Sequence, residues 1–186
     1  MKAYKLTDEK GKTKNDTQWG INVTHSASGE GKKLCTNGWI HFYVNPLIAV
    51  IMNPAHAGFV NPILWECETS GEELHGALKA GCKTLTTIKE IDLPVIAINS
   101  KIAFGILCAK RMYSDLEWNT WADNWLAGKD RTAAAAYAAA AAAGGANAAA
   151  GAAGGAAYAA YAAAYNRKML TVSDFIEIAN QAMLVE

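Results

Sequence analysis

Residues 132–165 read TAAAAYAAAAAAGGANAAAGAAGGAAYAAYAAAY, almost nothing but alanine, glycine pairs and spaced tyrosines. Alanine has the highest helix propensity and orders no side chain on entering a helix, whereas each interior glycine is worse by about 1 kcal/mol. The pairs Gly144-Gly145 and Gly154-Gly155 are therefore expected to divide the tract into short helices. Side chains this small bury little area, so such helices hold together by close backbone approach and dispersion contacts. Tyr158, Tyr161 and Tyr165 fall at helical spacing along one edge. The tract cannot carry a sheet or a bulky core, and it splits the chain into unlike halves. The expected fold class is α+β: a small mixed sheet with short helices over residues 1–97, then a helical half over 98–186 holding the close-packed alanine-rich helices.

In the first half, residues 2–6 alternate as a strand, and residues 9–33, polar and glycine-rich around Trp19, read as a long loop. The turn signal Asn37-Gly38 precedes a strand over 39–44. Asn45-Pro46 then opens a helix with Asn45 as N-cap and Pro46 at the first position, and Asn53-Pro54 is expected to stop it. Residues 63–68 alternate as a strand, a polar loop follows through Gly71 and Gly76, and 82–93 form a further strand ended by Pro94. In the second half, 98–113 have amphipathic helical spacing. Ser114 and Glu117 match a capping box before a helix whose Trp118, Trp121, Ala122, Trp125 and Leu126 share a face, closed by Gly128. Thr171 caps a last helix with Val172, Phe175, Ile176, Ala179 and Met183 on one side.

Charge and cysteine usage narrow the function. Seventeen basic and seventeen acidic side chains give a formal net charge of zero, with no basic stripe of the kind that holds duplex nucleic acid. Neutrality favours self-association, so a homo-oligomer is expected. The opening MKAYKLTDEKGK lacks the apolar core of a signal peptide, and alanine and glycine are too weakly apolar to favour a bilayer. The expectation is a cytoplasmic protein that does not engage membranes. Cys35, Cys67, Cys82 and Cys108 are scattered without a CxxC pair, and His25, His41, His56 and His75 show no ligand spacing, so neither a metal nor a cofactor is expected. GALKAGCKT, residues 76–84, imitates a phosphate-binding loop, but Cys82 interrupts the spacing and a β-type run follows where a helix is required.

The strand over 39–44 carries the most suggestive chemistry. Its alternation puts Trp39, His41 and Tyr43 on one side and Ile40 and Phe42 on the other. Two rings and an imidazole can stack a planar ligand and hydrogen-bond to it. Trp19 and Trp65 are expected to border the same pocket, giving a candidate binding set of Trp19, Trp39, His41, Tyr43 and Trp65.

Residues 1–94 resemble a family of uncharacterised phage and bacterial proteins through the KAYKLTD start, the LCTNGWIHFYVNP segment, WECETSGE and CKTLTTIKEI, in that order. The alanine-rich tail is similar to that of some phage-encoded members. The resemblance implies a phage or prophage origin and work in the host cytoplasm. A strand followed at once by a helix, then a late strand with an acidic residue, is also similar to the ordering of ADP-ribosyltransferase-like folds. That resemblance implies Tyr43 and Glu90 as candidate catalytic residues, with Tyr4 and Lys5 standing where the family's first-strand His or Arg belongs. The leading expectation is a non-enzymatic phage-type protein that sequesters a small, nucleotide-derived ligand such as a host defence signal. The alternatives are an inhibitor of a host protein or a structural virion component, and an ADP-ribosyltransferase-like enzyme.

Overall fold

A computed structural model describes residues 2–112, 114–132 and 170–185. The fold is α+β, and the chain divides into two compact units, Met1–Pro94 and Val95–Glu186. The expected alanine-rich helices and their tyrosine edge lie outside the described residues.

The first unit contains strands β1 (Lys2–Thr7), β2 (Lys12–Thr13), β3 (Thr17–Gln18), β4 (Val23–Ser26) and β5 (Ile40–Phe42), helix α1 (Pro46–His56), and the long strands β6 (Ile63–His75) and β7 (Ala80–Ile91). The main sheet runs β1-β6-β7-β4, antiparallel at every pairing, with β5 beside the first residues of β7. Tyr4 and Tyr43 exchange backbone hydrogen bonds of 2.8 and 2.7 Å, which ties the end of β5 to β1. The path β1-β6-β7-β5 thus returns to β1, and the sheet rolls into a small closed ring.

Strand alternation decides what the ring encloses. Ala3, Lys5 and Thr7 of β1 pair with Cys67, Trp65 and Ile63 of β6, and paired residues share a face. With Trp19, Phe42, Ala80, Cys82 and Leu85 they form the interior. The buried polar atoms find partners there: Trp65 Nε1 donates to Thr7 Oγ1 at 3.0 Å, and Thr87 Oγ1 donates to Gly20 O at 2.5 Å. The opposite face of β1 and β6 buries Leu6 and Leu64, on the side where α1 contributes Ile48, Ala49, Ile51 and Met52.

Three local expectations change in this unit. The segment read as a loop over 9–33 contains the β2–β3 hairpin and β4. Its turn uses Asn15 and Asp16 at φ 62° and 55°, a conformation short polar side chains tolerate, and the hairpin delivers Trp19 inward. Helix α1 does not stop at Asn53-Pro54: it continues to His56 with Pro54 inside its last turn. Asn53 instead clamps the exit, its side chain bonding Phe59 N–H and O at 3.1 and 2.9 Å. The polar run ETSGEELH is strand: a register shift between Ser70 and Glu73 puts an extra residue into β6 and breaks its alternation there, while the shift between Glu66 and Cys67 leaves Ile88 of β7 as the extra residue. Gly71, at φ 78°, sits within the first of these.

The second unit comprises α2 (Ile98–Met112), α3 (Leu116–Leu126) and α4 (Val172–Ala182) among the described residues. Asp115, not Ser114, caps α3 by accepting Trp118 N–H at 2.9 Å. Trp118, Trp121, Ala122 and Trp125 are buried along one side as their spacing requires. Thr171 and Asp174 form a capping box on α4, whose buried side is Phe175, Ile178, Ala179 and Ala182. The expected stripe through Val172, Ile176 and Met183 is offset because α2 offers Phe104, 6.4 Å from the Phe175 ring. Arg111 and Glu177 join α2 to α4 at 2.8 Å, and Lys110 pairs with Asp123 of α3. No helix among the described residues is long and apolar enough to cross a membrane.

Lys5 gives the fold a measurable signature. Its side chain is buried inside the ring, and desolvation lowers its pKa from 10.5 to about 8. The unfolded chain therefore binds more protons than the native one from about pH 8 to 10.5, and the Lys5 contribution to stability rises across that window by about 3 kcal/mol. The buried thiols of Cys67 and Cys82, raised to about 12 and 11, act in the opposite sense above pH 9. The lysine is therefore read as a difference. Urea unfolding of wild type and Lys5→Met from pH 7.5 to 10.5 should show wild type gaining on the variant by that amount. A constant difference would exclude a lysine whose pKa burial has lowered.

Candidate functional site

β5 presents Trp39, His41 and Tyr43 on the outer face of the ring, because Tyr43 is the bridge partner of Tyr4, whose side chain points away from the interior. Trp39 and Tyr43 are only 7% and 8% exposed, while His41 is half-buried. The other two members of the expected set are elsewhere. Trp65 pairs with Lys5 and faces inward. Trp19 is also interior, its Nε1 donating to Thr13 Oγ1 at 2.9 Å and its ring 4.5 Å from Lys5 Nζ. Both rings are core, on the opposite side of the sheet from Trp39, His41 and Tyr43, and neither can border a shared pocket.

The register also separates Tyr43 from Glu90. Tyr43 is linked through Tyr4 and Glu66 to Lys89, so these share a face, and Glu90 is the next residue along β7. Successive strand residues point to opposite faces. The expected catalytic pair is not brought together.

Two residues that sequence reasoning passed over join the outer face. The extra turn of α1 carries His56 to Tyr43: Tyr43 Oη and His56 Nδ1 are 2.9 Å apart, and the rings stack at 5.8 Å. Lys79, in the β6–β7 turn, stands near enough to both imidazoles for its charge to act on them. His41 Nε2 accepts Cys35 N–H at 2.9 Å, which leaves the ring proton on Nδ1. Lys5 Nζ donates to the His41 carbonyl at 3.0 Å from the inner side. The signal for His56 was its placement eleven residues after Asn45, on the helix side facing β5, and only the continuation past Pro54 makes it count.

The electrostatics follow from this packing. Burial lowers both imidazoles to about 4, helped by Lys79 in each case, by Lys5 at His41 and by His41 at His56. Burial also pushes the Tyr43 phenol well above its ordinary value. The face therefore holds a protonated phenol, two neutral imidazoles and the Lys79 ammonium. His25 and His75 do local work: His25 lies edge-on to Trp19, and His75 Nε2 contacts Glu73 Oε2 at 2.7 Å. Among the described residues no three His, Cys, Asp or Glu side chains converge closely enough to hold a metal ion.

A surface hollow is lined by Lys2 of β1 and by Glu66, Cys67, Glu68 and Thr69 of β6. Over Trp39 itself the chain is closed. No family model matches this chain, and no curated protein or solved structure matches it significantly.

Both imidazoles have folded pKa values below the ordinary 6.5, so their contribution to stability is full above that pH and is lost as pH falls towards 4. Urea unfolding between pH 7 and 4.5 should show this acid limb, and the double variant His41→Gln/His56→Gln should flatten it. An unchanged limb would show that neither ring is held neutral.

Proposed function

We propose that the N-terminal unit is a non-enzymatic binding module for a small, anionic, nucleotide-derived ligand taken at the β5–α1 face. The observation that carries this reading is the Tyr43–His56 pair on the same outer face as His41, with the Lys79 charge acting on both imidazoles. An ammonium and neutral imidazoles give a phosphate charge and donors without the cost of burying a second cation. Trp39 adds a ring able to stack a base, an interaction of about 1–3 kcal/mol. Binding alone is favoured over ADP-ribosyl transfer because Tyr43 and Glu90 occupy opposite faces. The phage resemblance supports sequestration of a host signal in the host cytoplasm, with assembly into a homo-oligomer.

A second reading, interaction with a protein partner, is favoured by the exposure of Val95 and Ile98, at 98% and 55%. Mass spectrometry of the purified protein separates the two: a co-purifying nucleotide supports sequestration, a stoichiometric protein supports the second.

The direct test is a thermal-shift and calorimetric screen with ATP, ADP-ribose and cyclic di-AMP. A ligand at 100 times its Kd should stabilise by about 2.7 kcal/mol. Lys79→Ala should weaken binding about tenfold, equal to about 1.4 kcal/mol. A bound anion raises the imidazole pKa values, so affinity should increase as pH is lowered from 7 to 5.5. A flat response to all three probes overturns the reading.

A further inference from the structure

We infer that residues 28–38 are a flap over Trp39, and that lifting it admits a nucleotide whose base meets the indole and whose phosphates meet Lys83 in addition to Lys79. This rests on the binding reading above and specifies how that face is reached.

The segment SGEGKKLCTNG folds tightly on itself. Gly29 N–H donates to Asn37 O at 3.0 Å. A Cβ built on Gly38 would lie 2.1 Å from the Gly31 carbonyl oxygen, so the two limbs of the flap touch backbone to backbone. Few contacts seat it on the ring. Leu34 rests on Gly76 and Gly81, where an added Cβ would meet its methyl groups at 2.9 and 3.0 Å. Cys35 N–H is latched to His41 Nε2, and Lys83 Nζ donates to Gly38 O at 3.0 Å. One leucine and two hydrogen bonds make a small attachment, of the kind that opens locally without global unfolding.

What lies beneath is unsatisfied. Trp39 is sealed, yet its Nε1–H has no acceptor among the described residues. A buried donor without an acceptor is expensive, and native cores seldom keep one without a reason. The same indole stacks its face against Lys83 Nζ, 4.1 Å from the ring centroid. Opening the flap frees His41 Nε2 from Cys35 and Lys83 from Gly38. An indole donor, an imidazole and an ammonium then surround an aromatic face. That set recognises a planar base bearing an acceptor, joined to a phosphate. A ligand lacking either part leaves one of these groups unmet.

Two measurements test the flap. Native-state hydrogen exchange at the Cys35 amide reads opening without any ligand. Leu34→Ala removes the seat and should raise exchange there about tenfold while leaving the slowest core amides unchanged. If opening gates binding, apparent affinity scales with the open fraction, so the same tenfold factor should reappear as tighter binding of ADP-ribose. Trp39→Phe keeps an aromatic face and removes the donor, and should weaken ADP-ribose about tenfold. Faster exchange with unchanged affinity overturns the gating role while the binding reading survives. Exchange at Cys35 only through global unfolding overturns the flap outright. Failure of wild type and Leu34→Ala alike to bind any of the three probes sinks the binding reading, and the proposal with it.

Discussion

The architecture of the first unit depends on one contact at its seam. β5 pairs with β7 on one edge and joins β1 through the Tyr4–Tyr43 bridge, which leaves the His41 carbonyl facing a gap on the β1 side. Lys5 fills that gap from inside, donating to this oxygen at 3.0 Å while its ammonium lies over the Trp19 ring. Burial of a lysine is unfavourable unless its charge is compensated, and here a carbonyl dipole and a π-face share that role. The arrangement explains why a polar, glycine-rich segment folds at all. Trp19 must be delivered to the ring interior, and the β2–β3 hairpin exists to place it.

Closure in turn creates the outer face. Because Tyr43 is drawn against Tyr4, its phenol points to the α1 side, where His56 meets it. His41 is held from two directions, its carbonyl by Lys5 and its Nε2 by Cys35. The imidazole therefore has one orientation and one tautomer, and burial, with Lys79 and Lys5 adding to it, keeps it unprotonated at neutral pH. Such a face is organised before any ligand arrives, which lowers the ordering cost of binding.

Much of the scaffold was legible from residue order. Asn45-Pro46 caps α1 as its chemistry demands, and the tryptophan spacing on α3 reproduces its buried side. Trp39, His41 and Tyr43 do share a face. The inward turn of Trp19 and Trp65 was not legible, because alternation assigns residues to sides without saying which side is enclosed. Only the register of β1 against β6, and the closing bridge, settle that. His56 and Lys79 escaped notice for a different reason. Each comes from a separate element, and proline at position 54 argued against the turn that carries the histidine. The bulge after Ser70 hid the continuation of β6 past Glu68 by breaking its period.

The balance between catalysis and capture can be argued from the same geometry. A general base needs a pKa near its working pH and a path to the proton it removes. Both outer imidazoles titrate near 4, far below neutrality, and His41 already spends its lone pair on Cys35 N–H. The phenol beside His56 is pushed the other way, towards permanent protonation. None of these groups is poised to exchange protons at pH 7. Each is poised to remain a donor or a neutral acceptor, which is what a site needs to hold a phosphate through repeated encounters without transforming it. The depressed imidazoles thus fit the proposed binding role more readily than general acid–base catalysis at neutral pH.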